Sequence, residues 1–260
     1  AWDEPTSSYS AGAARYFLER RLGYPVSVIR TESLQYAELS RYQVVLLPDS
    51  WGSYGSEVGE RWQETLDRWI REGGTLIAVG DAVDLVAEGG MGLLSTEREN
   101  RAVTRGDPEA GESSDSPPGT VLQREEDYLA AIEPEDARPD AVAGVLARAT
   151  PDTDHWLSAG LPEELHVLVR GRSIYQPLTL SEGVNAVRFA SPDDLVASGY
   201  LWKENREQLA FKPVVMIREH GRGQVIALPF DPFPRAYQRG LDLLMTNAIF
   251  RGPAYASPRW

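Results

Sequence analysis

The stretch "GGTLIAVGDAVDLV", residues 73–86, decides the fold of this 260-residue chain. Two glycines precede a mostly apolar run, Thr75–Val79, and Gly80 follows it. A short apolar run between glycine turns is typical of a buried β-strand, and residues 81–87 then favour a short helix. In several α/β enzymes such a strand-to-helix elbow carries the nucleophile, beside backbone N–H groups that stabilise an oxyanion.

Helices and apolar segments alternate upstream of this strand. Residues 10–23, "SAGAARYFLERRLG", predict a helix with Ser10 as its N-cap and Gly23 as its end. The segments "YPVSVIR" (24–30) and "YQVVLLPDS" (42–50) predict strands, and the second is apolar on both faces, as a central strand is. The core-facing side of the helix is predicted to carry Ala14, Phe17, Leu18 and Leu22.

A longer helix is predicted directly before the quoted strand, in "SEVGERWQETLDRWIREGG", residues 56–74, with Gly73 as its end. Strand, helix and strand in this order predict one right-handed crossover between parallel strands. We therefore expect an α/β fold with a parallel core sheet and helices on both faces. The buried stripe of this helix is predicted to consist of Val58, Trp62, Leu66, Trp69 and Ile70.

The second half changes in character, although we expect one domain over residues 1–260. Residues 104–120, "TRGDPEAGESSDSPPGT", are almost free of apolar side chains and predict a flexible insertion. Later in the chain, the "HGRG" turn, His220–Gly223, predicts a β-hairpin. A closing helix is predicted from Pro234 to residue 250. Further predicted elements are short helices at 125–132 and 140–147 and strands at 166–171, 173–178, 185–190, 195–202, 214–219 and 224–229.

Composition excludes several classes of function. The formal net charge of −13 opposes binding to nucleic acid or to an anionic membrane surface. With no cysteine, the chain has no disulfide, no thiolate metal ligand and no cysteine nucleophile. No apolar run approaches the roughly 18 residues of a membrane span. The opening "AWDEPTSSYS" has no signal-like segment, which favours a processed chain or an excised fragment.

Three segments carry a resemblance to a known family: "GGTLIAVGDA", "GRGQVIALPFDPFPRA" (221–236) and "LLMTNAIF" (243–250). Together they resemble class I glutamine amidotransferase-like domains, and more narrowly the version found C-terminal to carboxypeptidase A-like zinc peptidases. The resemblance implies a flavodoxin-like or amidotransferase-like sheet with additional strands and a late hairpin. It also implies an accessory role beside a peptidase domain of the same chain, and a secreted or periplasmic location. The fold's first strand, expected before Ser10, is shortened here.

The residues that would make such a domain a glutaminase are missing. Gly80 stands where the elbow cysteine of the family belongs, and a shift by one residue offers Asp81 instead. The later His-x-Glu is replaced by "ALPFDPFPRA" (227–236). None of the three histidines, His155, His166 and His220, begins the H-x-x-E of a carboxypeptidase zinc site. We expect no cofactor in this segment, and zinc only in a peptidase domain outside it.

Polar residues at the strand ends form the candidate binding crevice. Asp49, Ser50, Gly80 and Asp81 follow two predicted strands, and open parallel sheets bind ligands at the carboxyl ends of their strands. A small molecule or glycan is the ligand class considered. The simpler interpretation is a set of polar caps, with Asp81 capping the helix. Asp231 and Arg235 predict an internal ion pair or cap, or an anion site at the last helix.

Weaker candidates complete the set. Asp81 and His155 are the residues from which a cysteine-free hydrolase would be built. Asp154 and His155 offer an acid–base pair, but the surrounding "PDTDHWLSAG" favours a capped turn, and His220 is expected to be a solvated turn residue. Aromatic residues predicted to line either a sugar-binding or peptide-binding surface or the core are Tyr175, Tyr200, Trp202, Phe230 and Phe233.

Overall fold

A computed structural model describes residues 1–99, 141–234 and 238–256. Among these residues, eight strands form one sheet in the order β1-β2-β8-β7-β5-β3-β4, with β6 paired to β3. The strands are β1 (Val44–Leu47), β2 (Thr75–Val79), β3 (Val142–Pro151), β4 (Leu165–Gly171), β5 (Val184–Phe189), β6 (Val196–Ser198), β7 (Pro213–His220) and β8 (Gly223–Leu228). The parallel core comprises β1, β2 and β8, whereas β3 to β7 pair antiparallel.

Helices cover the sheet and are short. Within the described ranges, the α-helices are α1 (Ser8–Tyr16), α2 (Tyr54–Glu57), α3 (Glu60–Arg71), α4 (Val83–Val86), α5 (Lys203–Leu209), α6 (Asp242–Thr246) and α7 (Gly252–Tyr255). Two π-helical turns, Phe17–Arg21 and Asn247–Arg251, extend α1 and join α6 to α7. The closing helix thus begins later than Pro234, with a 3-10 turn at Arg239–Leu241.

Strand β2 is the middle strand of the parallel core, and it is buried as its sequence predicts. All five of its residues are buried, and it pairs in parallel with β1 on one side and β8 on the other. Leu76 faces one apolar cluster while Ile77 faces the other, so the sheet separates two cores. The predicted stripe of α3 is buried against the Leu76 side. Gly73 ends α3 with a φ of 113°, which only glycine adopts without strain.

The hairpin and several strands are confirmed. His220 pairs with Gly223, so the predicted "HGRG" turn closes β7 and β8. Strands β4, β5 and β6 lie within or overlap the predicted 166–171, 185–190 and 195–202. The elbow after β2 is a 3-10 turn, Gly80–Ala82, that continues into α4. These elements combine a parallel core with an antiparallel extension, the flavodoxin-like or amidotransferase-like architecture that was expected.

Several predictions at the N-terminal side are wrong. Residues 24–30 form no strand, because Pro25 lacks an N–H and a groove rather than a strand lies beside them. Strand β1 is at the end of the sheet order rather than central. Ser7 caps α1 in place of Ser10, accepting a hydrogen bond from Ser10 N at 3.4 Å. Leu22 is exposed because the helix has turned it away from the core.

Two further predictions fail in the second half. The predicted helix at 140–147 is strand β3 from residue 142, in which Val145, Ala147 and Ala149 alternate inward. Alanine favours helix, but pairing with β4, β5 and β6 decides the conformation. Residues 173–178 make one isolated bridge, between Tyr175 and Arg98, instead of a strand. The predicted insertion at 104–120, the helix at 125–132 and Arg235 lie outside the described residues.

Candidate functional site at the carboxyl ends of the parallel strands

Three neighbouring parallel strands end at one edge of the sheet and bring their polar residues together. Asp49 follows β1, Gly80 and Asp81 follow β2, and Asp231 follows β8. The charges of Asp81 and Asp231 both act on the Asp49 carboxyl. The structure therefore brings Asp49, Ser50, Gly80, Asp81 and Asp231 together, and we call this group of residues the crevice because it lies where doubly wound sheets bind ligands.

The Asp49 side chain lies inside the elbow. Its Oδ1 accepts hydrogen bonds from the backbone N–H of Asp81 at 2.8 Å and of Ser50 at 2.9 Å. Its own backbone N–H donates to Ser10 Oγ at 3.1 Å. The carboxylate of Asp49 thus takes up the N–H group that an elbow would otherwise offer to an oxyanion.

Gly80 makes room for this carboxylate. Its φ of 59° is a left-handed conformation that favours glycine. A Cβ atom at this position would lie 2.9 Å from the Asp49 Cβ and closer still to the carboxyl group. The space that a nucleophilic side chain would occupy at the elbow is therefore filled by the Asp49 side chain, which follows the neighbouring strand β1.

Burial and neighbouring charge shift the ionisation of this cluster. Desolvation, together with the charges of Asp81 and Asp231, raises the pKa of Asp49 to about 6 despite the two N–H donors. Burial also raises the pKa of Asp231, although hydrogen bonds from Phe233 N, at 2.8 Å, and from Ser10 oppose this shift. Asp231 thus caps its own loop, as one of the predicted interpretations has it.

Ser10 is a connecting residue whose role the sequence did not reveal. Its hydroxyl accepts from Asp49 N and also hydrogen-bonds the carboxyl of Asp231. A serine at the start of a predicted helix signals an N-cap, so its position in the first turn of α1 was not expected. There it joins α1 to the ends of β1 and β8.

The Asp81 side chain points away from Asp49 into a second polar network. It accepts from Arg98 and, at 2.8 Å, from Ser173 Oγ. Arg98 also pairs with Asp84 at 3.1 Å, and the Tyr175 hydroxyl donates to Asp84. Asp81 does not cap the elbow helix with its side chain, because Arg98 and Ser173 hold the carboxylate instead. Arg98 and Ser173 carry no motif that sequence reasoning could have found.

A buried hydroxyl without a partner lies next to Asp49 in sequence. Ser50 is 2% exposed, and its Oγ has no hydrogen-bond partner in the part of the chain that the structure describes. Its backbone forms an isolated antiparallel bridge with Thr6, whose own hydroxyl lies 2.6 Å from the Tyr54 hydroxyl. An unpaired buried hydroxyl is costly, so it is a feature that a bound polar group would satisfy.

Two exposed aromatic rings flank the same strand ends. Tyr9 precedes Ser10 in sequence and Trp51 follows Ser50, and their rings meet edge to face at 6.0 Å. Tyr9 is 71% exposed and Trp51 68% exposed. The aromatic set predicted from the sequence is divided: Tyr175, Phe230 and Phe233 are buried, whereas Tyr200 and Trp202 form a separate exposed pair.

His155 lies far from this crevice. His155 lines the same pocket as Gln224, and Gln224 pairs with Thr75, the first residue of β2. Asp81 follows the last residue of β2, so the two side chains lie near opposite ends of this strand. The structure therefore does not bring Asp81 and His155 together. Burial lowers the pKa of His155, and its Nδ1 accepts a hydrogen bond from Leu157 N at 3.2 Å.

The other histidine predictions resolve as structural contacts. Asp152 Oδ1 accepts from Asp154 N at 3.1 Å, so the segment around His155 is a capped turn. His220 is a partly buried partner of Asp67, with Nε2 at 2.6 Å from Oδ1, and not the solvated turn residue expected. Across the described residues, no cluster of histidine, aspartate and glutamate suits a metal ion, and no helix there could cross a membrane.

Comparison with known proteins identifies the fold. No family model and no curated protein matches this chain. A ThuA-like protein from Parabacteroides merdae has a TM-score of 0.54 at 14% identity, covering 100% of this chain and 90% of its own. A GMP synthase-type protein from Thermoplasma acidophilum also gives 0.54, at 10% identity, covering 97% and 92%.

A second ThuA-like protein, from Bacteroides uniformis, gives a TM-score of 0.51 at 12% identity and covers 96% of this chain and 87% of its own. The architecture is therefore that of glutamine amidotransferase-type proteins, as the sequence resemblance implied. At these identities the likeness concerns the fold alone, so any activity has to be argued from the residues of the crevice.

Proposed function

We propose that this chain is a non-catalytic amidotransferase-type domain, and that it serves as an accessory or interaction module of a larger zinc carboxypeptidase-like protein. The observation that carries the first part is the position of the Asp49 carboxyl. It occupies the elbow beside Gly80 and binds the N–H groups of Ser50 and Asp81. Acyl transfer needs a nucleophile and free N–H donors at this place, but Gly80 has no side chain and the Asp81 N–H is already bonded to Asp49.

A glutaminase assay tests the non-catalytic role. Purified chain incubated with glutamine is expected to release no ammonia above a buffer blank. The G80C variant is expected to be equally inactive: its Cβ displaces the Asp49 carboxyl, but the His-x-Glu that would activate a thiol in the family is replaced by "ALPFDPFPRA" (227–236). Ammonia release that D81N abolishes would overturn the proposal.

The identity of the parent protein rests on the three sequence segments that resemble domains fused to zinc peptidases. In this proposal the peptidase domain is the partner, it alone holds zinc, and the protein is secreted or periplasmic. The reading frame that precedes the Ala1 codon tests the link. An H-x-x-E followed by a distant histidine is expected there, and a frame that encodes an unrelated domain would refute this parent.

A second candidate function, binding of a small neutral sugar in the crevice, is favoured by a separate observation. The exposed Tyr9–Trp51 pair lies beside Ser10 and Ser50 in sequence, at the strand ends that carry Asp49 and Asp81. Aromatic faces pack on sugar rings, and carboxylates accept hydrogen bonds from sugar hydroxyls. Such a combination suits a neutral, hydroxyl-rich ligand better than an anion.

Thermal-shift measurements with a panel of neutral monosaccharides and disaccharides test this second function. A binding sugar is expected to raise Tm, and W51A or S50A is expected to remove the rise. The matched control is W202A, which removes another exposed tryptophan, one that pairs with Tyr200 instead of Tyr9. A flat response to the whole panel, or a rise that W51A leaves intact, would contradict binding at the crevice.

A further inference from the structure

An apolar groove of about 750 Å³ follows the outer edge of β1, and we call it the edge groove. Strand β1 bounds it on one side and residues 24–29 on the other, while α1 and the 3-10 turn Thr31–Tyr36 close its two faces. The apolar side chains that line it include Leu18, Val26, Val28, Leu34, Val44 and Leu46. Both cores of the domain thus extend into this groove.

Unpaired backbone groups border the edge groove. Strand β1 has β2 as its partner on one side, and its opposite side presents the Leu46 carbonyl to the groove, where it accepts from Ala1 N at 3.0 Å. Across the groove, Ile29 O accepts from Trp2 N at 3.1 Å. The backbone of residues 25–28 makes no hydrogen bond with any described residue. Open edges of this kind are templates for another strand.

The backbone groups of Ala1 and Trp2 already form hydrogen bonds to two neighbours, as the end of a strand in the middle of a sheet does. Ala1 donates to β1 and Trp2 donates to the 24–30 side, so successive residues alternate between two neighbours. Further on, Thr6 lies beside Ser50 in a single antiparallel bridge, so between Ala1 and Thr6 the chain advances from the level of Leu46 towards the carboxyl end of β1. A strand that continues backwards from Ala1 would therefore run down the groove, parallel to β1.

We propose that the edge groove seats an apolar β-strand of about four or five residues that lies parallel to β1 and leads directly into Ala1. With this strand in place, the order from residues 24–30 through the new strand, β1 and β2 to β8 follows the flavodoxin-like arrangement. Helix α1 then becomes the right-handed crossover from the new strand to residues 24–30.

The environment of Ala1 agrees with such a connection. Burial lowers the pKa of its α-amino group to about 5, because a charged ammonium group is poorly solvated in the groove. A peptide N–H at the same position would donate to Leu46 O without carrying any charge. An uncharged donor at this position therefore suits the groove better than a charged amine does.

A designed extension tests the proposal. One form of the protein carries Met-Val-Ala-Leu-Val before Ala1, and the matched control carries Met-Asp-Gly-Asn-Ser. The apolar extension is expected to raise Tm by on the order of 5 °C over the control. It is also expected to slow amide exchange at Val44 and Leu46 at least about tenfold. Size-exclusion chromatography establishes that both forms are compared as monomers.

A variant on the opposite wall of the groove locates the effect. Gly12 of α1 lines the groove, and a Cβ there meets nothing within 4 Å. G12F is expected to cancel the gain in Tm of the apolar form and to leave the polar control without a loss. Equal Tm values and equal exchange rates for the two extensions would overturn the proposal.

Two other results would overturn it as well. The first is self-association through the apolar extension while Val44 and Leu46 exchange at their original rates. The second is slower amide exchange at Val44 and Leu46 when the free peptide Met-Val-Ala-Leu-Val is added, together with no change in the fused form. In that case the groove would bind a separate chain. None of these readouts depends on enzymatic activity, so the result is independent of the function proposed above.

Discussion

Replacing Gly80 by alanine is expected to destabilise the domain strongly, and the structure separates the cost into two parts. The left-handed backbone costs an alanine about 1–2 kcal/mol. The new methyl group would also lie 2.9 Å from the Asp49 Cβ and closer to its carboxyl group, which forces that side chain out. Each N–H bond to a charged group that is lost costs about 1.5–3 kcal/mol, so the total is about 4–8 kcal/mol.

A double-mutant cycle with D49A isolates the contact. In that background the carboxyl group is gone, so G80A is expected to cost only about 1–2 kcal/mol, mainly from the backbone. Urea unfolding followed by tryptophan fluorescence and circular dichroism measures all four proteins. The control G240A places a methyl group in open space and should change stability little. An equal cost of G80A in both backgrounds would refute the placement of Asp49 in the elbow.

Three more measurements examine other parts of the structure. Burial raises the pKa of Asp49 from 3.8 in the unfolded chain to about 6 in the folded protein. The protonated carboxyl group therefore stabilises the fold in full below pH 3.8, and this contribution is lost as the pH rises through 6. The stability of wild type relative to D49N should therefore fall by about 2–3 kcal/mol from pH 4 to pH 7 in urea titrations, and a constant difference would contradict the shift. Y54F should cost about 1–2 kcal/mol in urea, since its buried hydroxyl bonds Thr6 at 2.6 Å, and an unchanged midpoint would refute that bond. G223A should cost at least about 3 kcal/mol in the same assay, because its Cβ would lie 3.0 Å from Gly74 N and closer to backbone carbonyls. A loss below about 1 kcal/mol would show that the hairpin packs less closely.

The elements that the sequence predicts well are those with a strong local pattern. Thr75–Val79 is apolar throughout and lies between glycines, so burial on both faces follows from the residues themselves. The stripe of α3 and the hairpin turn at Gly221 are equally local signals, because period and turn chemistry define them. Here prediction and structure agree.

The failures lie where distant partners decide the conformation. The alanine-rich start of Val142–Pro151 favours a helix locally, yet three strands pair with it. Residues 24–30 have the composition of a strand, but the groove separates them from β1. Local propensity contains no information about either neighbour.

The candidate site divides in the same way. Asp49, Gly80 and Asp81 could be placed in one crevice from strand order alone, since parallel strands end at a common edge. The contact that determines its chemistry is that of the Asp49 carboxyl with Gly80. This contact depends on the register between β1 and β2, which the sequence does not specify. Ser10 and Arg98 reach the crevice from remote segments that no motif marks.

The titration of the Asp49 carboxyl tests the central claim most directly, since a closed elbow requires this group to be buried there. The carboxyl carbon shift of isotopically labelled protein can be followed by NMR from pH 3 to pH 8. We expect a midpoint of about 6, with the amide signals of Ser50 and Asp81 changing at the same midpoint. A midpoint at the ordinary value of 3.8, with both amide signals unaffected, would contradict the claim that Asp49 closes the elbow.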